Sequence, residues 1–253
     1  MKALTLAFQD DPRFAELKKH RDESGGIHHV WGMDRRITPL LMEALSDTKR
    51  FRLIVTYEER RAREIVEDYR FYSRQTFYYP AKDALFYSAD IHSNNTVQER
   101  LEIFKKIAEG RPCTVVTTIE GVMDKIPSIS HIIENILTIK VGDTLQLDTF
   151  SRKLTTLGYE KTSIVETPGQ FSVRGGIIDI FSLTEECPYR VELWGDDIDS
   201  IRSFDVESQR SMERVEEFVI YPSTEMVLDD VRISKGIAKL EKEHKAQAKL
   251  LKE

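Results

Sequence analysis

Three stretches of this 253-residue chain hold residue types at spacings that could do chemistry. The first is Gly32-Met33-Asp34-Arg35-Arg36-Ile37-Thr38-Pro39. It stands where a nucleotide-binding α/β domain carries its phosphate loop, GxxxxGK followed by Ser or Thr, whose backbone N–H groups and lysine hold the phosphates. Here the second glycine is Ile37 and the lysine is Thr38. A branched Ile does not take up the glycine backbone freely, Pro39 sits where the magnesium-binding hydroxyl belongs, and Asp34 repels phosphate. Arg35 or Arg36 standing in for the lysine is the functional reading. A fold that keeps its shape without nucleotide is the reading preferred.

The second group is made of possible metal ligands. His28 and His29 are adjacent, so on a strand they point to opposite faces, one buried and one exposed, and cannot share a metal. Asp196, Asp197 and Asp199 are carboxylates of the kind that suit hard cations, but after Gly195 they read as an ordinary polar turn between strands. No Ser/His/Asp or Cys/His arrangement can be assembled from the six scattered histidines. Cys113 and Cys187 lie far apart without metal-ligand spacing, which suggests neither a disulfide framework nor a zinc site and fits a reducing, cytoplasmic setting.

The third group is Arg174, Arg190 and Trp194. In Tyr189–Trp194 the period of two puts Tyr189, Val191 and Leu193 on one face and Arg190, Glu192 and Trp194 on the other. Arginine and tryptophan exposed together are the residue types enriched at interface hot spots. Arg174 precedes Gly175-Gly176, a pair that removes side chains and admits another backbone or a bulge, and a hairpin would bring Arg174 near Arg190 and Trp194. Two readings stand side by side. Trp194 is an exposed anchor for a partner, or it packs under a helix at 148–157 with Arg190 stacked on it. Paired arginines also suit phosphate, so a nucleic-acid-binding module using Arg174, Arg190 and Arg202 is a competing class.

The elements that must position these groups fall into two styles. Up to about residue 135, apolar strands alternate with amphipathic helices. A helix at 1–22 leads to a strand in GGIHHVWGM, a helix in ITPLLMEAL, a buried strand at 51–57, a charged helix, FYYP, the helix at 96–110, a strand at 113–119 and a short helix. That alternation predicts an α/β domain, 1–135, with a parallel sheet covered on both faces. From 136 to 221 the chain reads as an α+β module. It has a strand in LTIKVGDTL, a helix N-capped by Asp148 and stopped by Gly158, and then the strands TSIVETP, GQFSVRGGIIDIF, YRVELWG and IDSIRSFDV as antiparallel hairpins. EEFVIYP returns as a strand, and 222–253, with a charged helix in KGIAKLEKEHKAQAKLLKE, is a candidate to complete the first domain; ending without a cap, that helix also suggests a chain cut from something longer.

Composition agrees with a folded, charged-surface protein: 40% of residues are hydrophobic and 32% charged. The formal net charge of -6 provides no global attraction for nucleic acid. The N-terminus has too short an apolar run for a signal peptide, and no run approaches the ~20 apolar residues of a membrane span.

At Gly169–Ser211 these residues resemble the signature shared by UvrB and the bacterial transcription-repair coupling factors (Mfd), and FDVESQRS at 204–211 is closer to the coupling factors. The likeness extends over nearly the whole chain, strongly at 165–222 and weakly before residue 110. It implies a degenerate P-loop, RecA-like parallel-sheet domain lacking a Walker A motif, with an inserted module like UvrB domain 2. It further implies a part without ATPase activity that recruits UvrA to stalled RNA polymerase for nucleotide excision repair, with Arg174, Arg190 and Trp194 as the UvrA-contacting residues. Position 194 is more usually Phe in that family. The resemblance assigns RNA polymerase and DNA to later domains absent here and ATP and magnesium to the absent motor domains, expects no cofactor in this part, and expects a C-terminal domain to mask the docking surface. An ATP-dependent UvrB-like helicase fragment is the enzymatic alternative.

Overall fold

The computed structural model describes residue 8 and residues 10–24, 26–46, 50–82, 91–228 and 230–250. The chain divides into two compact units, Met1–Lys125 and Ile126–Glu253. The first unit holds helices α1 (Pro12–Ser24) and α2 (Thr38–Leu45), strand β1 (Arg52–Thr56), α3 (Glu59–Arg70), β2 (Thr76–Tyr79), α4 (Ile91–Ala108), β3 (Thr114–Thr118) and α5 (Ile119–Met123). Its strands form a parallel sheet in the order β1-β3-β2. In α3, Ala62, Ile65, Val66 and Tyr69 recur at helical spacing and are buried, and Glu59 and Arg70 suit the two ends of its dipole. Ala62, Ile65 and Val66 make a small core with Val116 and Tyr78 on one face of the sheet.

The other face is only partly covered. Tyr79 packs edge-on to Phe104 of α4, 6.1 Å between ring centroids, over β2. At the edge strand β1, Leu53 and Val55 are 61% and 45% exposed. The expectation of a buried strand in a sheet covered on both faces is therefore corrected: an apolar run reads the same whether or not a helix lies over it. The expected strand in GGIHHVWGM is absent as well. Residues 26–33 have no strand partner and His28 and His29 are both exposed. The part of the first helix expected at 1–7 and at 9 lies outside the described residues.

The second unit begins with α6 (Ile129–Glu134), capped by Ser128, whose hydroxyl accepts the His131 N–H at 3.3 Å. Then follow β4 (Leu137–Lys140), α7 (Leu147–Thr156), β5 (Glu160–Lys161), β6 (Gln170–Arg174), β7 (Ile177–Ile180), β8 (Tyr189–Trp194), β9 (Asp197–Phe204), β10 (Ser211–Val215), β11 (Glu217–Ile220) and α8 (Asp230–Leu250). A six-stranded sheet runs β10-β9-β8-β7-β6-β5, antiparallel except where β5 pairs parallel to β6, and β4 pairs antiparallel with β11. The stretch TSIVETP forms no strand beyond residue 161, and β10 occupies residues between two expected strands.

Helix α7 seats Leu154 and Leu157, both fully buried, against Phe171, Ile178, Ile180, Val191 and Ile201 of the sheet. Asp148 lies inside its first turn; the N-cap is Gln146, with no side-chain cap, because the preceding residues are tied to the β8–β9 hairpin by the Leu145 N–H to the Asp196 carbonyl and Thr144 Oγ1 to Asp197 Oδ1. The helix does stop at Gly158, with φ +89°. There the Gly158 N–H reaches the Thr155 carbonyl and the Tyr159 N–H the Leu154 carbonyl, a Schellman closure. After β11, Tyr221 accepts a hydrogen bond from Tyr159 Oη at 2.7 Å, and the Val227 carbonyl meets His131 Nε2 at 3.1 Å, so this segment is tied to the second unit.

Candidate functional site

The antiparallel sheet has two faces of different character. Register pairs Ile178 with Val191 and Val191 with Ile201 on the face under α7. On the opposite face Ser172, Asp179, Arg190, Arg202 and Arg214 form one row across β6 to β10, and Arg174, Ile177, Glu192 and Ser200 form the next. One end of this outer face carries a small second core of Val165, Phe181 and Phe204, with Val206 against it.

Asp179 is the centre of the arrangement. It is fully buried, between Ile178 and Ile180 in sequence and beside that second core. A carboxylate so placed must be paired and hydrogen-bonded to remain charged. Arg190 supplies a two-pronged contact, Nε to Oδ1 at 2.7 Å and Nη2 to Oδ2 at 2.9 Å. Arg174 adds Nη2 to Oδ2 at 2.6 Å. The hydrogen bonds from Arg190 to Asp179 raise the arginine's pKa from its already high ordinary value, so it stays charged. Arg190 also lies over the Phe204 ring, 4.5 Å from its centroid, and donates through Nη1 to the Gln209 carbonyl at 3.2 Å. Gln209 takes a left-handed backbone, φ +57°, at the end of a turn in which Asp205 accepts from both the Ser208 N–H and its hydroxyl. Only 14% of the Arg190 side chain is exposed, against 45% for Arg174.

The three residues singled out in the sequence occupy one face, and two of them share a carboxylate. Arg174 and Arg190 converge on Asp179 from β6 and β8, with β7 between them. Trp194 ends β8 on the same face and is 85% exposed, so packing beneath α7 and stacking on Arg190 do not occur. A register shift between Glu192 and Leu193 precedes it. On the other side of β8 Gly176 lets the strand come close: its carbonyl accepts the Leu193 N–H at 2.7 Å, and a Cβ there would stand 3.0 Å from the Leu193 carbonyl oxygen. Sequence reasoning missed Asp179, Phe204 and Gln209. The available signal was the single carboxylate inside GGIIDIF, since a charge in an apolar strand requires a partner.

In the first unit, Gly32–Pro39 forms a turn entering α2. The Asp34 carboxylate accepts the Arg36 N–H at 2.8 Å and pairs with the Arg36 guanidinium, which lowers its pKa below the usual carboxylate range. Among the described residues no three His, Cys, Asp or Glu side chains are grouped to hold a metal ion. Asp196 sits in the tight β8–β9 hairpin with Gly195, and Trp194 pairs with Asp197 across it. No helix among the described residues is long and apolar enough to cross a membrane.

The family model described as "UvrB interaction domain" matches residues 137–226, a span that contains the whole outer face. A transcription-repair-coupling factor of Staphylococcus aureus (strain bovine RF122 / ET3-1) is 29% identical over 232 residues, 91% of this chain and 20% of that protein. That of Bacillus subtilis (strain 168) is 28% identical over 209 residues, 82% of this chain and 18% of the relative. The chain thus spans about a fifth of the length of the curated relatives it matches. By the match at 137–226 and the likeness over most of its length, the chain is similar to a part of the bacterial transcription-repair-coupling factors that includes a UvrB interaction domain.

Proposed function

We propose that this chain is a non-catalytic, UvrB-like docking module that recruits UvrA to stalled RNA polymerase for excision repair, using the outer face of the sheet at 136–221. The observation that carries this reading is the fixed arginine pair on buried Asp179 beside an 85%-exposed tryptophan, inside the segment that matches the UvrB interaction domain. Two guanidinium groups held by a buried carboxylate lose little side-chain freedom on binding, and an exposed tryptophan offers apolar area without a folding penalty for uncovering it. Arg174, Arg190 and Trp194 are the contacts. A C-terminal domain of the complete protein covers the same surface, and RNA polymerase and DNA are engaged elsewhere in that protein.

The first unit is a degenerate RecA-like domain without a working phosphate loop and takes neither ATP nor magnesium. Supporting this are the Ile37, Thr38 and Pro39 substitutions and the Asp34 carboxylate occupying the Arg36 amide that a phosphate would need. ATP with magnesium is expected to leave the melting temperature unchanged, whereas a bound nucleotide raises it by linkage.

The deciding experiment is calorimetry of the chain with purified UvrA beside an Arg174→Ala, Arg190→Ala, Trp194→Ala variant whose fold is verified by circular dichroism. Binding by the parent that vanishes in the folded variant is the expected result. Absence of binding by the parent, or equal binding by the variant, overturns the assignment.

A further inference from the structure

We propose that the docking surface continues past Arg190 onto β9 and β10, where Arg202 and Arg214 receive a patch of carboxylates on a folded protein partner. This extension rests on the reading of the sheet as a UvrA-docking face. Register places Arg190 opposite Arg202 and Arg202 opposite Arg214, all pointing away from the core. Directly opposed like charges on neighbouring strands are unfavourable, with Cβ atoms roughly 5 Å apart. A row of three therefore calls for an anion. Asp179 answers Arg190 and Arg174 and is already saturated. Arg214 has only the Asp199 carbonyl, at 3.5 Å, and Arg202 makes no ion pair among the described residues. The other carboxylate in these two rows, Glu192, accepts the Ser200 hydroxyl at 2.7 Å. Four arginines thus stand against two carboxylates in these two rows, in a chain whose formal charge is -6.

A protein partner suits that pattern better than a nucleic acid. Exposed Asp196, Asp197, Asp199 and Glu213 border the arginines. A duplex spreads one negative charge per ~1.7 Å and would press phosphates on that acidic border as well as on the row. A folded surface can present carboxylates to the arginine forks alone, and it meets Trp194 and the half-buried Ile177 with apolar groups.

The test is calorimetry with purified UvrA of Arg202→Ala, Arg202→Glu, Arg202→Lys and an Arg202→Ala, Arg214→Ala double variant, each with its melting temperature recorded, and in parallel fluorescence titration with a short DNA duplex. The extension expects the double variant to lose about tenfold or more in affinity for UvrA at an unchanged melting temperature, with Arg202→Glu worse than Arg202→Ala and Arg202→Lys milder. If the parent binds UvrA and the folded double variant binds as tightly, the extension fails while the docking reading stands. If the variants lose duplex binding and keep UvrA binding, the row is a phosphate surface and the extension fails. If the parent does not bind UvrA, the docking reading falls and the extension with it.

Discussion

A buried carboxylate that holds two arginines makes stability and docking separable by choice of residue. Asp179 is fully buried and Arg190 nearly so, so Asp179→Ala leaves a guanidinium without its counter-ion in a largely dry place. Denaturant titration should find this variant less stable by about 3 kcal/mol. A loss below about 1 kcal/mol would mean that the carboxylate does not organise the face. Trp194→Ala is the opposite case. With the indole already in solvent, stability should move by less than about 0.5 kcal/mol while affinity for UvrA falls by about 2 kcal/mol. A tryptophan variant that loses stability instead would place the ring in an intramolecular contact. The types and alternation of Arg174, Arg190 and Trp194 were legible in the sequence. The meeting of the two arginines was not, because Asp179 is five residues from Arg174 and eleven from Arg190, and only strand pairing brings these three side chains together.

At the level of elements, local signals specified ends and faces where a single residue decides the geometry. Gly158 closes α7 with φ +89°, and a Cβ at that position would stand 2.8 Å from Thr224. Strain and clash act together, so Gly158→Ala should destabilise the protein by about 2 kcal/mol, measured as a lower denaturation midpoint. Asp148 failed as a cap because Thr144 and Leu145 are pinned to the β8–β9 hairpin, which fixes where α7 begins. Helix α8 shows the limit of periodicity from the other side. Ile233, Ile237 and Leu240 recur at helical spacing yet are 42%, 53% and 66% exposed. With so little burial to support it, hydrogen exchange should find the α8 amides opening far more readily than those of β7 and β8, whose Ile178, Ile180 and Val191 are fully buried.

For the whole molecule, two units with separate cores predict separable folding. A chain of residues 126–253 should unfold in one cooperative transition and keep the affinity of the full chain for UvrA, as measured by thermal melting and calorimetry. Loss of either would show that the first unit contributes to the fold or to the surface. The sequence by itself determined the change of style from alternating strands and helices to consecutive strands near residue 136. It also determined α3 and α7, the stop at Gly158, and the likeness at 169–211, because these depend on periodicity and on residues whose backbone or chemistry is local. Only the tertiary structure decided that Leu53 and Val55 on β1 are exposed, that 26–33 forms no strand, that β10 joins the sheet, and that Trp194 faces solvent. Burial and strand partnership depend on what lies across from a residue. An apolar or alternating run is the same string of letters whether another element covers it or water does.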